Sequence, residues 1–264
     1  MTSPRTDTRG ILWPARMHAH ARFRRHSPDP ALADIVEHYW LSDWDLPDPH
    51  PQQVLTHPTV NMLWATPNQH IVTGAQSRLS TTILSGKGRV FGIQFPPGGF
   101  RAFTALPLSD FTDRQIPIAD VFGTAAEAIG ALLADEPDDL PRVAAVNRFL
   151  LAHSSPLQPS TVRAMRLAKR ARTDRGITRV ETLAATQSLS VRSVQRLFAD
   201  EIGVSPKWVI RRYRTQEAIE VADDNVDWAM LANDLGYVDQ AHLVRDFSAA
   251  AGISPAAYQR SLRT

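Results

Sequence analysis

"EIGVSPKWV" (201–209) and "AAGISPAAY" (250–258) carry one phrase twice: glycine, an apolar residue, serine, proline, then an aromatic. Each residue has a local physical meaning. Glycine tolerates positive φ and ends a helix in a left-handed cap. Serine is a good N-cap, and proline suits the first turn of the helix that follows. The phrase therefore stops one helix and starts another. It is punctuation, and the segments before each copy decide the fold.

Before the first copy, "TRVETLAATQ" begins a helix near 179, with Thr178 and Glu181 at capping-box spacing. "SLS" breaks it, and Ser190 caps a second helix, "VRSVQRLFADEIG". Val191, Val194, Leu197 and Phe198 share one side of it; Arg192 and Arg196 lie opposite, with Gln195 beside them. Before the second copy, Asp227 caps "WAMLANDLG", Gly236-Tyr237 breaks the chain, and Asp239 caps "QAHLVRDFSAAAG". Leu243, Phe247 and Ala250 form its inward stripe and Arg245 stands opposite. Two amphipathic helices around a short break, with Arg and Gln facing outward, is the helix-turn-helix pattern, here present twice. "KWVIRRYRTQEAIEVADD" (207–224) is long enough to join the two units as a helix, and Trp208 and Tyr258 are placed to pack back on the preceding pairs. Upstream, "STVRAMRLAKRARTDR" (160–175) reads as one more helix, striped by Ala164, Leu167, Ala168 and Ala171 and otherwise rich in Lys and Arg.

At this point residues 160–262 resemble the DNA-binding domain of the AraC/XylS family of bacterial transcription regulators. "SVRSVQRLF…GVSPKWVIRRYR" and "LANDLGYVDQAHLVRDF…GISPAAYQR" carry the resemblance. Tyr237 stands where the family usually has Phe, and Ala241-His242-Leu243 where it has Ser-His-Phe. The resemblance implies double-stranded operator DNA as partner, with RNA polymerase, a small-molecule effector and a second copy of the chain as further partners. It implies base contacts from Arg192, Gln195 and Arg196 in the first unit, and from Gln240, His242, Val244 and Arg245 in the second. Phosphate contacts would fall to Arg166, Lys169, Arg170, Ser190, Lys207, Arg211 and Arg212.

The charge pattern agrees. The chain's net charge is only +2, but residues 157–264 hold 16 Lys/Arg against 12 Asp/Glu. Residues 30–156 hold 7 against 13, so the acidic middle is followed by a basic C-terminal part suited to a polyanion. There is no cysteine among the 264 residues, hence no disulfide, thiol sensing or thiolate chemistry, which fits the cytoplasm. No apolar run approaches the length of a membrane span.

The N-terminal half has a different texture. Residues 1–29 read as a basic, flexible arm, and "DPALADIVEHYW" (29–40) as a short helix with Leu32, Ile35, Val36 and Tyr39 on one face. "QVLTHPTVNMLWA", "HIVTGAQ", "STTIL" and "RVFGIQF" read as strands, separated by turns at Pro67-Asn68, Gly74, Gly86-Lys87-Gly88 and Pro96-Pro97-Gly98-Gly99. Two helices, near 121–134 and 139–152, close the domain, and "HSSPLQPS" (153–160) has linker composition. The expected architecture is α+β: a small antiparallel sheet or barrel with flanking helices over 30–152, a linker at 153–159, and an all-α double helix-turn-helix domain over 160–264. "PALADIVEHYW", "HPTVNMLW" and "FGIQFPPGGFRAF" resemble, more loosely, the β-rich N-terminal domain of one branch of these regulators, a place for effector binding or dimerisation. Trp40, Trp44, His57, Trp64, Phe91, Phe95 and Phe103 would line an effector pocket. His50, His57 and His70 raise a cupin-type metal enzyme as an alternative, but they lack the His-x-His spacing that pattern wants, and His18 and His20, which have it, lie in the arm; no metal, cofactor or enzymatic activity is expected.

Overall fold

The computed structural model describes residues 11–66, 69–223 and 225–262. The N-terminal half is one open, six-stranded antiparallel sheet ordered β1-β2-β5-β3-β4-β6. Its strands are β1 (Arg22–His26), β2 (His38–Val54), β3 (Asn61–Ala65), β4 (Gln69–Thr73), β5 (Ser80–Gln94) and β6 (Gln115–Pro117). With β1 and β6 as free edges the sheet does not close, so the expected alternative of a barrel does not hold. Helices α2 (Ile118–Phe122), α3 (Ala125–Asp135) and α4 (Asp139–His153) pack on it. The shared core runs from Leu32 and Tyr39 through Met62, Phe91, Ile93 and Phe95 to Ile129, Leu133, Val146 and Leu150.

Three readings of this half need correction. Residues 11–29 are not a free arm. Pro14–His20 form α1, Arg22–His26 pair with Asp43–Tyr39 of β2, and Arg24, Arg25 and His26 are buried. Residues 1–10 of that arm, and the Pro67-Asn68 turn, lie outside the described residues. The helix expected over 29–40 is a 3-10 turn at Pro30–Leu32, capped by Asp29, followed by strand from His38. Leu32, Val36 and Tyr39 are buried as the stripe required, but Tyr39 is held there by pairing with Ile93. Gly86-Lys87-Gly88 is not a turn: it sits within β5, opposite Leu46, Asp45 and Trp44. The strand expected over 53–65 divides, with Gln53 and Val54 ending β2, residues 55–60 in no strand and β3 beginning at Asn61; β2 runs for 17 residues despite Pro47, Pro49 and Pro51. Beyond Asp43 its outer edge has left β1, and the register with β5 shifts between Leu46 and His50. Prolines are tolerated where a ladder loses its partner.

The C-terminal half is helical: α5 (Pro159–Thr173), α6 (Val180–Ala185), α7 (Val191–Glu201), α8 (Pro206–Val221), α9 (Trp228–Asp234), α10 (Gln240–Ala251) and α11 (Pro255–Ser261). Its caps are those read from the sequence, except that Ser160, read as the cap of the helix over 160–175, lies inside α5 behind its N-cap Gln158. Ser190, Ser205, Asp227, Asp239 and Ser254 each accept a backbone N–H from the first turn of their helix. A second exception is the expected capping box. Arg179, not Thr178, caps α6, and no side chain closes that end. The long helix α8 serves two cores. Val209, Ile210 and Tyr213 join α5, α6 and α7, while Ala218 and Ile219 join α9, α10 and α11.

Both helical cores also take in residues of the N-terminal half: Ala75 in the first, Leu12 and Leu55 in the second. At the first repeated corner, Thr112 Oγ1 donates to Gly203 O at 2.7 Å, and Glu201 accepts from Arg101 Nε at 3.0 Å and Thr161 Oγ1 at 2.7 Å. At the second unit, Tyr258 Oη donates to Leu12 O at 3.0 Å and Trp13 Nε1 to Ser261 Oγ at 2.8 Å.

Candidate nucleic-acid interface

Each helix-turn-helix unit is assembled by local chemistry and presents one amphipathic helix. In α7, the Ser190 hydroxyl accepts from Ser193 N at 3.1 Å and fixes the first turn. Val194 and Phe198 are fully buried, which turns Arg192, Gln195 and Arg196 to solvent. In α10, Asp239 accepts from His242 N at 2.6 Å, Leu243 and Phe247 are fully buried, and Gln240 and Arg245 are exposed. Val244 is half-buried beside them. Among the described residues, no ion pair or side-chain hydrogen bond engages Arg192, Arg196 or Arg245. These guanidiniums keep their five N–H groups available to a base edge or a phosphate.

The other expected contacts divide. Arg166, Lys169 and Lys207 are exposed. Arg170 is exposed but stands 3.6 Å from Asp174, one turn along α5. Arg211 is engaged with α10: its Nε and Nη2 donate to the two Asp246 carboxylate oxygens at 3.0 and 2.6 Å. His242 is half-buried, edge-on to Tyr237 at 5.2 Å between ring centroids and 3.8 Å from Asp246. Both brace the second unit.

Arg212 is held inside the protein. It is 4% exposed, its guanidinium lies 4.5 Å over the Trp208 ring, and its Nη2 donates to Ser77 O at 3.0 Å and Gln76 O at 3.3 Å. Desolvation by burial pushes its pKa down to about 10. Arg212 ties α8 to the N-terminal half. Val238 was missed by sequence reasoning: it sits in the turn before α10 with 84% of its surface exposed.

The seven residues expected to line an effector pocket do not share one cavity. Phe91 and Phe95 are fully buried core, and Phe103 packs against Phe95 at 5.6 Å. His57 is buried and Trp40 half-buried away from the cavities. Trp44 lines an open cleft of about 1240 Å³ that runs between α1, β2 and the start of α4. Trp64 lines a smaller cavity of about 250 Å³ under α3, with His70, Arg89 and Arg142. Arg89 and Arg142 were not foreseen, and His70 only as a candidate metal ligand. Among the described residues, no cluster of three or more His, Asp or Glu could hold a metal ion, and no helix is long and apolar enough to cross a membrane.

Two capped helix pairs, each presenting an exposed Arg/Gln face, define a helix-turn-helix protein, and comparison with known proteins agrees. Residues 183–261 match a family model described as "Helix-turn-helix domain", and residues 24–117 match one described as "Domain of unknown function (DUF6597)". The C-terminal part of the chain is a helix-turn-helix domain. Neither match describes a catalytic family. Among solved structures the chain is similar to ToxT from Vibrio cholerae, at 12% identity, with 92% of this chain and 98% of that chain covered and a TM-score of 0.44. It is also similar to the C-terminal domain of AraT, a response regulator from Geobacillus stearothermophilus, at 25% identity, 40% and 88% coverage and a TM-score of 0.34. No curated protein sequence matches the chain.

Proposed function

We propose that this chain is a sequence-specific DNA-binding regulator of transcription whose N-terminal half senses a small molecule. The observation that supports this most is the pair of exposed faces, Arg192/Gln195/Arg196 on α7 and Gln240/Arg245 on α10, joined by one helix shared between two cores. A helix in the major groove reads guanine through bidentate Arg and adenine through bidentate Gln. Two readers on one chain would occupy successive major-groove faces and supply what a dimer of single-reader proteins otherwise would. Arg166, Lys169 and Lys207 would hold phosphates and make binding salt-dependent. Such a protein works in the cytoplasm, where a bacterial chromosome lies.

The test uses duplex fragments selected from genomic DNA by the full-length protein. Each bidentate base contact contributes about 1–3 kcal/mol, so Arg196→Ala and Arg245→Ala should each weaken the selected duplex roughly tenfold or more. Lys169→Ala should weaken all duplexes alike and flatten the salt dependence. Unchanged affinity in both arginine variants would remove these helices as readers.

A further inference from the structure

A group of charges outside the reading helices lies where the start of α4 meets β1, β2 and β5. Arg24 is fully engaged: its Nε and Nη2 donate to Asp139 at 2.6 and 2.9 Å, and Nη2 stands 2.6 Å from Asp43. His26 Nε2 is 3.3 Å from the same Asp139. Arg89 reaches the end of α3, donating to Glu136 O at 3.1 Å, and stands 3.9 Å from Asp43. Three guanidiniums, those of Arg24, Arg89 and Arg142, thus share two carboxylates.

Arg142 is the one left over. It is 1% exposed, and its closest carboxylate, Asp139, is 3.8 Å away and already held by Arg24. Its guanidinium lies 5.6 Å from the centre of the Phe91 ring, and its buried Nε has no hydrogen-bond partner among the described residues. A buried guanidinium nitrogen without a hydrogen bond is costly, and an anion beside it would relieve that cost. Desolvation, and then the charge of Arg89, push the Arg142 pKa down, as expected for a cation short of an anion.

Arg142 borders the cavity of about 250 Å³ under α3, together with Trp64, His70, Arg89, Glu127, Gly130 and Leu133; Glu127 is exposed at its rim. We propose that this cavity binds a small organic acid, with its carboxylate on Arg142 and its apolar body against Trp64 and Leu133. The planar fork of a guanidinium matches a carboxylate bidentately. Trp64 and Leu133, both nearly fully buried, supply an apolar wall of the kind that ligand cavities use. At about 30 Å³ per liquid water, the volume suits a single small acid rather than a drug-sized molecule. The acid would sit at the start of α4, the helix that runs to His153 and leads through 154–158 into α5. Its role as effector rests on the regulator reading above; the site itself does not.

Full-length protein is titrated calorimetrically, and melted, with benzoate, phenylacetate and hexanoate, and with benzamide and inorganic phosphate as controls. At least one carboxylate should bind saturably and raise the melting temperature, at least tenfold more tightly than benzamide or phosphate. Ala131→Trp, at an exposed position of α3 on the cavity's rim, should block binding while leaving the charges untouched. Arg142→Lys, which keeps the charge but loses the fork, should weaken it tenfold or more. If the lysine variant does not fold, Ala131→Trp alone carries the test. Benzamide binding as well as benzoate, phosphate doing so, no carboxylate binding at all, or binding undiminished in Ala131→Trp would each overturn the site. Duplex binding is measured on the same preparation. DNA binding without acid binding removes the site and leaves the regulator reading, whereas acid binding without DNA binding supports the site and removes that reading.

Discussion

Asp139 holds Arg24 through two hydrogen bonds and approaches His26, and its acidity follows from them. Burial raises its pKa, but Arg24 and His26 outweigh this and the net shift is downward. A carboxyl depressed in the folded state stabilises fully above the unfolded value of about 3.9, and that stability is lost as pH falls through the lower folded value. Melting temperature should therefore drop steeply below about pH 4. In Asp139→Asn it should start lower at neutral pH and vary less across that acid range; an identical acid limb in the variant would show that the pair contributes nothing. Single residues are also where the sequence was least legible. Arg196 and Arg212 look alike as letters on basic helices. What separates them is a pair of carbonyls, Gln76 and Ser77, roughly 135 positions away in the chain. Arg142 was invisible for the same reason, since its burial is made by strands remote in sequence.

Elements whose signals are local could be read, and those set by distant pairing could not. Every serine and aspartate cap acts within its own first turn, so Ser190, Ser205, Asp227, Asp239 and Ser254 were legible. The strand from His38 was not, because its register depends on β5, and its prolines argued against it. The two glycine corners offer a test within one molecule. Gly203 and Gly252 have φ of 93° and 74°, the left-handed region that costs an L-residue about 1–2 kcal/mol. A Cβ at Gly203 would also stand 2.6 Å from Leu108 O, whereas at Gly252 the nearest atom is Leu79 Cδ2 at 3.5 Å. Gly252→Ala should cost about 1–2 kcal/mol from φ alone. Gly203→Ala should cost clearly more and loosen the contact with the N-terminal half. Denaturant melts of the two variants compare them directly, and equal losses would mean that the corner at Gly203 shifts freely away from Leu108.

At the scale of the whole molecule, the repeated corners do more than end helices. The N-terminal half reaches both units: Thr112 and Arg101 hold the Glu201–Gly203 corner, Arg212 is anchored on Gln76 and Ser77, and Leu12 and Trp13 meet Tyr258 and Ser261. The two helical cores are therefore completed by residues far outside the double helix-turn-helix segment, which no reading of that segment alone could reveal. This bears on the proposed boundary at 153–159. A fragment of residues 157–264 retains α5 to α11 and the shared helix α8, so it should fold as a helical unit. It should nevertheless melt well below the full-length chain. Burying a leucine contributes about 1.5–3 kcal/mol, so loss of Leu12 and Leu55 removes roughly 3–6 kcal/mol from the second unit's core, against a typical total stability of ~5–15 kcal/mol. Circular dichroism melts of fragment and full chain test both halves of this expectation. A fragment without helical signal would move the boundary upstream. A fragment melting with the full chain would show that the N-terminal half rests on the readers without stabilising them.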